Sequence, residues 1–175
     1  QASRPLGLAT ANIGLLTDII CCPGGDLCAL ANARSIPIAE AVNRKFDMLD
    51  YVHDLGDLSL NISGCINSCG HHHVANIGVL GIDKSGEEWY QITLGGQQGN
   101  AAALGKVIGP SFSAADVPGA VAALIEVYVE QREDGERFID TLQRLGETPF
   151  KARAYAGRPN AARRDETQTK EAAYA

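Results

Sequence analysis

The stretch SGCINSCGHHHVANIG, residues 63–78, holds the densest set of reactive side chains in the sequence. Two cysteines and three consecutive histidines fall within nine residues, and no other part of the chain carries more than one histidine. Thiolate and imidazole groups are common ligands of transition metals in proteins. Three interpretations follow from this stretch alone: a metal site, a redox site, or a tightly packed turn.

The composition of the whole chain limits the class of protein. It has 175 residues, 45% of them hydrophobic, which is enough for one domain with its own core. The net charge of −6 argues against nucleic acid as a partner, because phosphate binding needs a basic surface. No apolar run approaches the roughly 18 residues that a membrane-spanning helix needs, so we expect no membrane partner.

Cysteine usage indicates the cellular compartment. The five cysteines are an odd number, and Cys21 and Cys22 are adjacent. Adjacent residues of a strand point to opposite faces, so this pair does not suit a disulfide framework. We therefore expect a reducing cytoplasm, where thiols serve metal or redox chemistry. The only methionine is Met48 and residues 1–12 do not resemble a signal peptide, so we also expect the chain to be part of a longer protein.

Hydrophobic patterning predicts four strands before residue 95. Residues 13–20 are mostly apolar and predict a buried strand that ends at the adjacent cysteines. DLSLNIS (57–63) alternates apolar and polar residues, as a half-buried strand does. VANIGVLGI (74–82) and EWYQITL (88–94) predict a hairpin joined by the turn DKSGE (83–87).

Helical patterns and the remaining segments complete the expected architecture. A helical pattern begins at Ala29 and includes IPIAEAVNRKF (36–46), and two further apolar stripes run from Val117 to Tyr128 and from Phe138 to Leu145. These elements predict an α/β (α+β) fold, a mixed sheet of about five strands with helices largely on one face. Residues 1–150 form the expected domain, and the polar, alanine-rich residues 151–175 the expected disordered tail.

Four cysteines form two pairs, each just after a predicted strand. Cys22 and Cys28 have five residues between them, and Cys65 and Cys69 have three. Residues at i and i+4 share one face of a helical turn, so both sulfurs of the second pair can face one object. Zinc sites use tighter Cys-x2–4-Cys spacings, whereas an iron–sulfur cubane held by four thiolates suits the wider first loop. Zinc binding and burial in the core remain the alternatives.

Cys21 and Cys22 compete for one ligand position. We expect Cys22 to be the ligand and Cys21 to point the other way along the strand and pack. The reverse assignment would leave six residues before Cys28.

A family resemblance rests on these residues. CPGGDLC (22–28), followed by NISGCINSCGHHHVANIGVLG (61–81) and EWYQITLGG (88–96), resembles the C-terminal half of the sirohaem-containing sulfite and nitrite reductases. The resemblance covers about residues 10–150 and is closer to the bacterial sulfite reductase haemoprotein than to the plant enzymes. It implies a nitrite/sulfite reductase 4Fe-4S domain-like fold, a [4Fe–4S] cluster and a sirohaem.

By position, the resemblance also implies roles for individual residues. The implied cluster ligands are Cys22, Cys28, Cys65 and Cys69. Cys69 would also bridge to the sirohaem iron, which makes it the expected catalytic residue. The further residues expected to contact the cofactors are Asn67, His71, Gly95 and Gly96. A plain turn is the alternative for Asn67 and the two glycines, and packing or solvent exposure is the alternative for each histidine.

The activity that the resemblance implies is assimilatory reduction of sulfite to sulfide by six electrons, with nitrite reduction to ammonia as the alternative. The electron donor would be a ferredoxin or a flavoprotein reductase. Residues 1–110 hold six Lys and Arg against ten Asp and Glu, so they cannot neutralise the eight carboxylates of sirohaem and an anionic substrate. The required basic residues would come from a missing N-terminal half, and this chain alone would be inactive.

Two rival interpretations remain at this stage. The cysteines, with one or more histidines, would build a non-catalytic structural zinc module. Alternatively, the chain is an apo fragment whose thiols stay free without the other half of the enzyme.

Overall fold

The computed structural model describes residues 11–156. The five strands are β1 Ile20–Cys21, β2 Leu60–Ser63, β3 Ile77–Lys84, β4 Glu87–Leu94 and β5 Lys106–Val107. The six α-helices of these residues are α1 Gly24–Leu27, α2 Ile36–Lys45, α3 Leu49–Leu55, α4 Val117–Gln131, α5 Phe138–Leu145 and α6 Thr148–Ala154, and short 3-10 helices span His72–Val74 and Gly99–Ala101. Within this part of the chain, every helix is too short or too polar to cross a bilayer.

The strands form one mixed sheet in the order β1-β2-β3-β4-β5. β1 pairs parallel to β2, and β2 parallel to β3, whereas β3, β4 and β5 pair antiparallel. Cys21 lies opposite Ile62 in the register of the first pair. Because parallel strands end at the same edge of a sheet, the segments after β1 and β2 leave the sheet side by side. The predicted mixed sheet of about five strands is confirmed.

The two faces of the sheet have different chemistry. Leu60, Ile62 and Val79 are fully buried and share one hydrophobic core with α2, α4 and α5. Alternate residues such as Asn61 and Ser63 are also buried, but they lie beneath the loop that follows β2. Asn61 Nδ2 donates to the His71 carbonyl at 3.2 Å. The helices therefore cover one face, as predicted, and the loop of the cysteine–histidine motif covers part of the other.

The predicted hairpin is confirmed as β3 and β4. Ser85 and Gly86 link the strands with positive φ values of 58° and 84°. Two left-handed residues give a turn whose twist matches that of the paired strands.

The predicted strand over residues 13–20 is wrong except at its end. Ile13 is 91% exposed, and only Ile20–Cys21 pairs in the sheet. Gly14 has a φ of +79°, and its N–H donates to the Asp18 carboxylate at 3.0 Å. This local bond and the left-handed glycine fold the segment into turns in place of an extended strand.

The predicted helices over residues 36–46, 117–128 and 138–145 are confirmed as α2, α4 and α5, although residues 29–35 are not helical. α3 and α6 were not predicted. α6 crosses the expected domain end at residue 150, and Phe150 and Tyr155 are buried in the core. The rest of the predicted tail, residues 157–175, lies outside the described residues.

An ion pair at the α4–α5 connection gives stability a pH dependence. Arg144 Nη2 lies 2.6 Å from Glu136 Oε2, and this contact, with hydrogen bonds from Glu133 N–H and Thr141, lowers the pKa of Glu136 to about 2. A lowered folded-state pKa stabilises the fold above the unfolded pKa of roughly 4.3, and this contribution is lost as the pH falls towards 2. Glu136→Gln should therefore lower the thermal midpoint at pH 6 and lose most of this difference near pH 2.

The matched control for this change is Glu40→Gln in α2. Glu40 pairs with Arg44 at 3.6 Å, and both side chains are more than 60% exposed, so the pair should contribute little at any pH. Equal shifts in the two variants would contradict the assignment to Glu136.

Candidate metal centre

The two cysteine pairs predicted from the sequence, Cys22 with Cys28 and Cys65 with Cys69, lie on two loops at one edge of the sheet. The first loop carries Cys22, directly after β1, and Cys28, directly after α1. The second loop begins directly after β2 and carries Cys65 and Cys69. All of these thiols are free: Cys65 is buried, Cys22 and Cys28 are partly buried, and Cys69 is exposed.

Backbone hydrogen bonds bring the Cys22 sulfur to the second loop. Cys22 N–H donates to the Ile62 carbonyl at 3.1 Å and extends the parallel pairing by one residue. The N–H of Gly64 donates to Cys22 Sγ, also at 3.1 Å. The Cys22 sulfur of the first loop is therefore hydrogen-bonded to Gly64, the residue immediately before Cys65 in the second loop.

Two glycines let the loops touch backbone to backbone. A β-carbon added to Gly64 would lie 2.8 Å from Gly24 Cα and 2.6 Å from the Ala33 carbonyl oxygen. Gly24 itself has a φ of +56°, a conformation that side chains rarely adopt. The N–H groups of Asn32 and Ala33 both donate to the Gly64 carbonyl, at 2.9 and 3.0 Å. Gly64 is therefore enclosed on several sides, and the loops keep a fixed relative position.

The segment between Cys65 and Cys69 is not the helical turn that the spacing suggested. Ser68 has a φ of 56°, and its N–H donates to the Cys65 carbonyl at 3.1 Å. His71, with a φ of 53°, donates in turn to the Ser68 carbonyl. These left-handed residues interrupt the helical path, so the segment forms successive tight turns. Gly70 N–H donates to Ser63 Oγ at 3.2 Å and holds the loop against the sheet.

The three histidines have different environments. His71 is exposed two residues after Cys69, whereas His72 is buried with 6% of its surface exposed. Burial, and to a lesser extent the neighbouring His73, lowers the pKa of His72. Its ring meets that of His73 edge to face at 5.4 Å between centroids. His71 is thus the histidine available at the surface of the loop, and His72 is part of the packing beneath it.

The other predicted cofactor contacts lie on or beside the second loop. Asn67 is exposed between the two cysteines. Gly95 has a φ of +87° and donates its N–H to the Asn76 carbonyl at 3.1 Å. A β-carbon on Gly96 would lie 2.4 Å from the Ala75 carbonyl oxygen. A side chain at position 96 would clash with the histidine segment, so this close packing explains the glycine without any contact to a cofactor.

Cys21 packs as expected. Its side chain lies against the hydrophobic core, and Sγ donates to the Cys22 carbonyl at 3.2 Å. Burial, followed by the nearby Cys22 and Asp26, raises the pKa of the Cys21 thiol to about 11. A thiol that resists ionisation is a poor metal ligand, because thiolates are the binding form.

Two supporting residues were not found by sequence reasoning. The Tyr90 hydroxyl donates to the Arg34 carbonyl at 2.8 Å and fixes the first loop to β4. Ser35, fully buried, places its hydroxyl 3.5 Å from Cys22 Sγ. No spacing signal connects Tyr90 to a loop 56 residues earlier. A serine two residues before Pro37 is a recognisable helix start in the sequence, but the contact of Ser35 with the cysteine cannot be predicted from sequence.

The arrangement fits an iron–sulfur group by its donor chemistry. Within residues 11–156, no three histidine, cysteine or acidic side chains converge closely enough to hold one metal ion. Four cysteine thiolates are the usual ligand set of a [4Fe–4S] cluster, and the two adjoining loops carry that number of thiols. The fold and the site together define a mixed α/β domain with four cysteines on two adjoining loops at one edge of its sheet.

Comparison with known proteins identifies the family. The family model described as the nitrite and sulphite reductase 4Fe-4S domain matches residues 15–158. The chain belongs to this family. The chain is similar to the solved structure of the Mycobacterium tuberculosis NirA protein, with a TM-score of 0.64 and 26% sequence identity. The match covers 75% of this chain and 26% of the NirA chain. Dissimilatory sulfite reductase I has the same fold, with a TM-score of 0.65 and 13% identity over 78% of this chain and 51% of that one.

Curated relatives carry both substrate names. An assimilatory ferredoxin-dependent nitrite reductase from Haloferax mediterranei is 32% identical over 127 residues, which are 68% of this chain and 21% of the relative. A sulfite reductase [NADPH] hemoprotein beta-component from Methylobacterium sp. is 29% identical over 142 residues, 80% of this chain and 23% of the relative. The chain therefore spans about a quarter of the length of the curated relatives it matches.

The Tyr90 contact can be tested through stability. Tyr90→Phe removes the donor and leaves the Arg34 carbonyl without it, so the free energy of unfolding should fall by about 1 kcal/mol in urea titrations. Tyr51→Phe, at a half-buried position in α3, is the control and should cost less than about 0.5 kcal/mol. Similar losses in both variants would show that the Tyr90 hydroxyl has no special role.

Proposed function

We propose that the chain is the cluster-bearing C-terminal domain of an assimilatory sulfite reductase, which reduces sulfite to sulfide by six electrons at a sirohaem coupled to a [4Fe–4S] cluster. The observation that carries this proposal is the hydrogen bond from Gly64 N–H to Cys22 Sγ, because it joins the two cysteine loops into one site. The second candidate is nitrite reduction to ammonia, favoured by the similarity to the Haloferax mediterranei enzyme. Turnover of sulfite against nitrite by the holoenzyme separates the two substrates.

The proposed cluster ligands are Cys22, Cys28, Cys65 and Cys69. A cluster bound there would supply one-electron transfer to an adjacent haem. Cys69 is the exposed member of the set, so its sulfur is accessible to a second group, as a bridging role towards the sirohaem iron requires. Cys65 is buried and suits a purely internal ligand.

The proposed sirohaem-facing residues are Asn67, His71, Gly95 and Gly96. Asn67 and His71 are exposed on the same loop as Cys69, which supports contacts with a cofactor held by that cysteine. The Asn67 amide can donate a hydrogen bond to a haem carboxylate, and a ring N–H of His71 can donate another. Gly95 and Gly96 present backbone without side chains at the end of β4.

The proposed partner of this surface is the rest of the enzyme. The two cysteine loops carry three large apolar side chains, Leu27, Leu30 and Ile66, that are 74–80% exposed. Exposed apolar groups around a site are typical of interfaces. We propose that the N-terminal part covers them and supplies the basic residues for cofactor and substrate. The electron donor would be a ferredoxin or a flavoprotein reductase, in the cytoplasm.

Metal analysis of the intact protein, purified without oxygen, is the first test. We expect about four iron and four acid-labile sulfide per chain, because four thiolates hold one cubane. Zinc in place of iron would favour the structural zinc module, and a folded protein with neither metal would favour the apo fragment. Either result would contradict the proposed function.

Single cysteine variants test the ligand assignment. Cys69→Ser should remove the cluster absorbance near 400 nm and the electronic coupling to the haem, because a hydroxyl is a poor replacement for the thiolate. Cys21→Ser is the matched control and should retain both, since Cys21 packs against the core. Loss of iron in Cys21→Ser but not in Cys22→Ser would reverse the assignment of these two residues.

A further inference from the structure

Ser35 occupies the position of a helix cap but does not act as one. It immediately precedes α2, where a serine normally accepts a hydrogen bond from an N–H of the first turn. Its side chain makes no such bond, although its carbonyl accepts the N–H of Ala39 at 3.1 Å. The residue is fully buried. Because most buried hydroxyl groups have a hydrogen-bond partner, we expect this one to make another contact.

That contact is with the Cys22 sulfur. Ser35 Oγ lies 3.5 Å from Cys22 Sγ. Two glycines make room for the hydroxyl: a β-carbon on Gly24 would lie 2.3 Å from Ser35 Oγ, and one on Gly64 would lie 2.9 Å from it. The side chains missing at both positions thus leave the space that the serine fills, at the point where the two cysteine loops meet.

The direction of this hydrogen bond depends on the state of the sulfur. A metal-ligating cysteine is a thiolate and has no proton to donate, so the Ser35 hydroxyl must be the donor. Cys22 Sγ already accepts the N–H of Gly64 at 3.1 Å. The sulfur would then accept two hydrogen bonds, one from the backbone and one from a side chain. Hydrogen bonds to a charged acceptor are the stronger class.

Contacts with strand β4 fix the backbone around Ser35. The Tyr90 hydroxyl bonds the carbonyl of Arg34, the preceding residue, and Arg34 Nε lies 3.2 Å from Glu88 Oε2. The serine is therefore fixed between a rigid strand and the first turn of α2. Its hydroxyl is therefore in position before a cluster binds, and binding need not order this side chain.

We propose that Ser35 is a positioning residue that donates a hydrogen bond to the Cys22 thiolate and raises the reduction potential of the cluster. This inference rests on the proposed function. Adding one electron to the cluster increases the negative charge on its sulfur ligands, and no proton is required for the step. A hydrogen bond to a ligand sulfur stabilises that charge, which favours the reduced state.

Redox titration of the intact holoprotein, monitored by electron paramagnetic resonance, tests the proposal. Ser35→Ala should lower the midpoint potential by an amount equivalent to a threefold to tenfold change in the ratio of reduced to oxidised cluster, where tenfold is about 59 mV for one electron. Ser111→Ala is the matched control: Ser111 is also buried, and its Oγ has no hydrogen-bond partner within the described residues. That variant should leave the potential unchanged.

A second measurement covers the case in which Ser35→Ala fails to fold. Electron–nuclear double resonance of the wild-type reduced cluster in D2O should detect two exchangeable deuterons at the Cys22 ligand, from Gly64 and Ser35. A single deuteron there, or an unchanged potential in a cluster-loaded Ser35→Ala variant, overturns the proposed role of Ser35. Either result leaves the proposed function of the domain standing. Absence of any cluster from the wild-type protein purified without oxygen overturns the proposed function and this inference together.

Discussion

The backbone contact between Gly24 and Gly64 is the constraint on which the site depends. Parallel pairing of β1 and β2 brings the two cysteine loops to one edge of the sheet, but only residues without side chains let them touch. The contact aligns the N–H of Gly64 with the Cys22 sulfur and the carbonyl of Gly64 with two amides of the first loop. A side chain at either position would separate the thiols that belong to different strands.

The sheet supports this contact by having two unlike faces. Aliphatic residues of β2, β3 and β4 pack against the helices and supply the apolar burial that stabilises the domain. On the opposite face, Asn61 and Ser63 of β2 are polar and buried, and both hydrogen-bond to the backbone of the second cysteine loop. Buried polar groups are stable only with such partners. The loop therefore contributes to the packing of the sheet, and the sheet determines the path of the loop.

Sequence patterns predicted the elements that follow strong periodicity and missed those governed by single residues. The β3–β4 hairpin, α2, α4 and α5 were predicted because their apolar spacing is regular over many residues. The predicted strand at residues 13–20 failed because one left-handed glycine and one carboxylate set the local path. For the site, spacing alone placed two cysteine pairs after neighbouring strands. The turns at Ser68 and His71, and the contacts of Ser35 and Tyr90, depend on tertiary neighbours that a linear pattern does not contain.

The parallel pairing of β1 and β2 also has a consequence for how the thiol set is assembled. A parallel pair needs a crossover connection, and here α2 and α3 lie between the strands. While that crossover is unfolded, the chain presents two separate cysteine pairs, each too small to complete the proposed four-thiolate set. Under the proposed function, insertion of the cluster would therefore be coupled to tertiary folding, and neither cysteine loop could complete it alone as it leaves the ribosome.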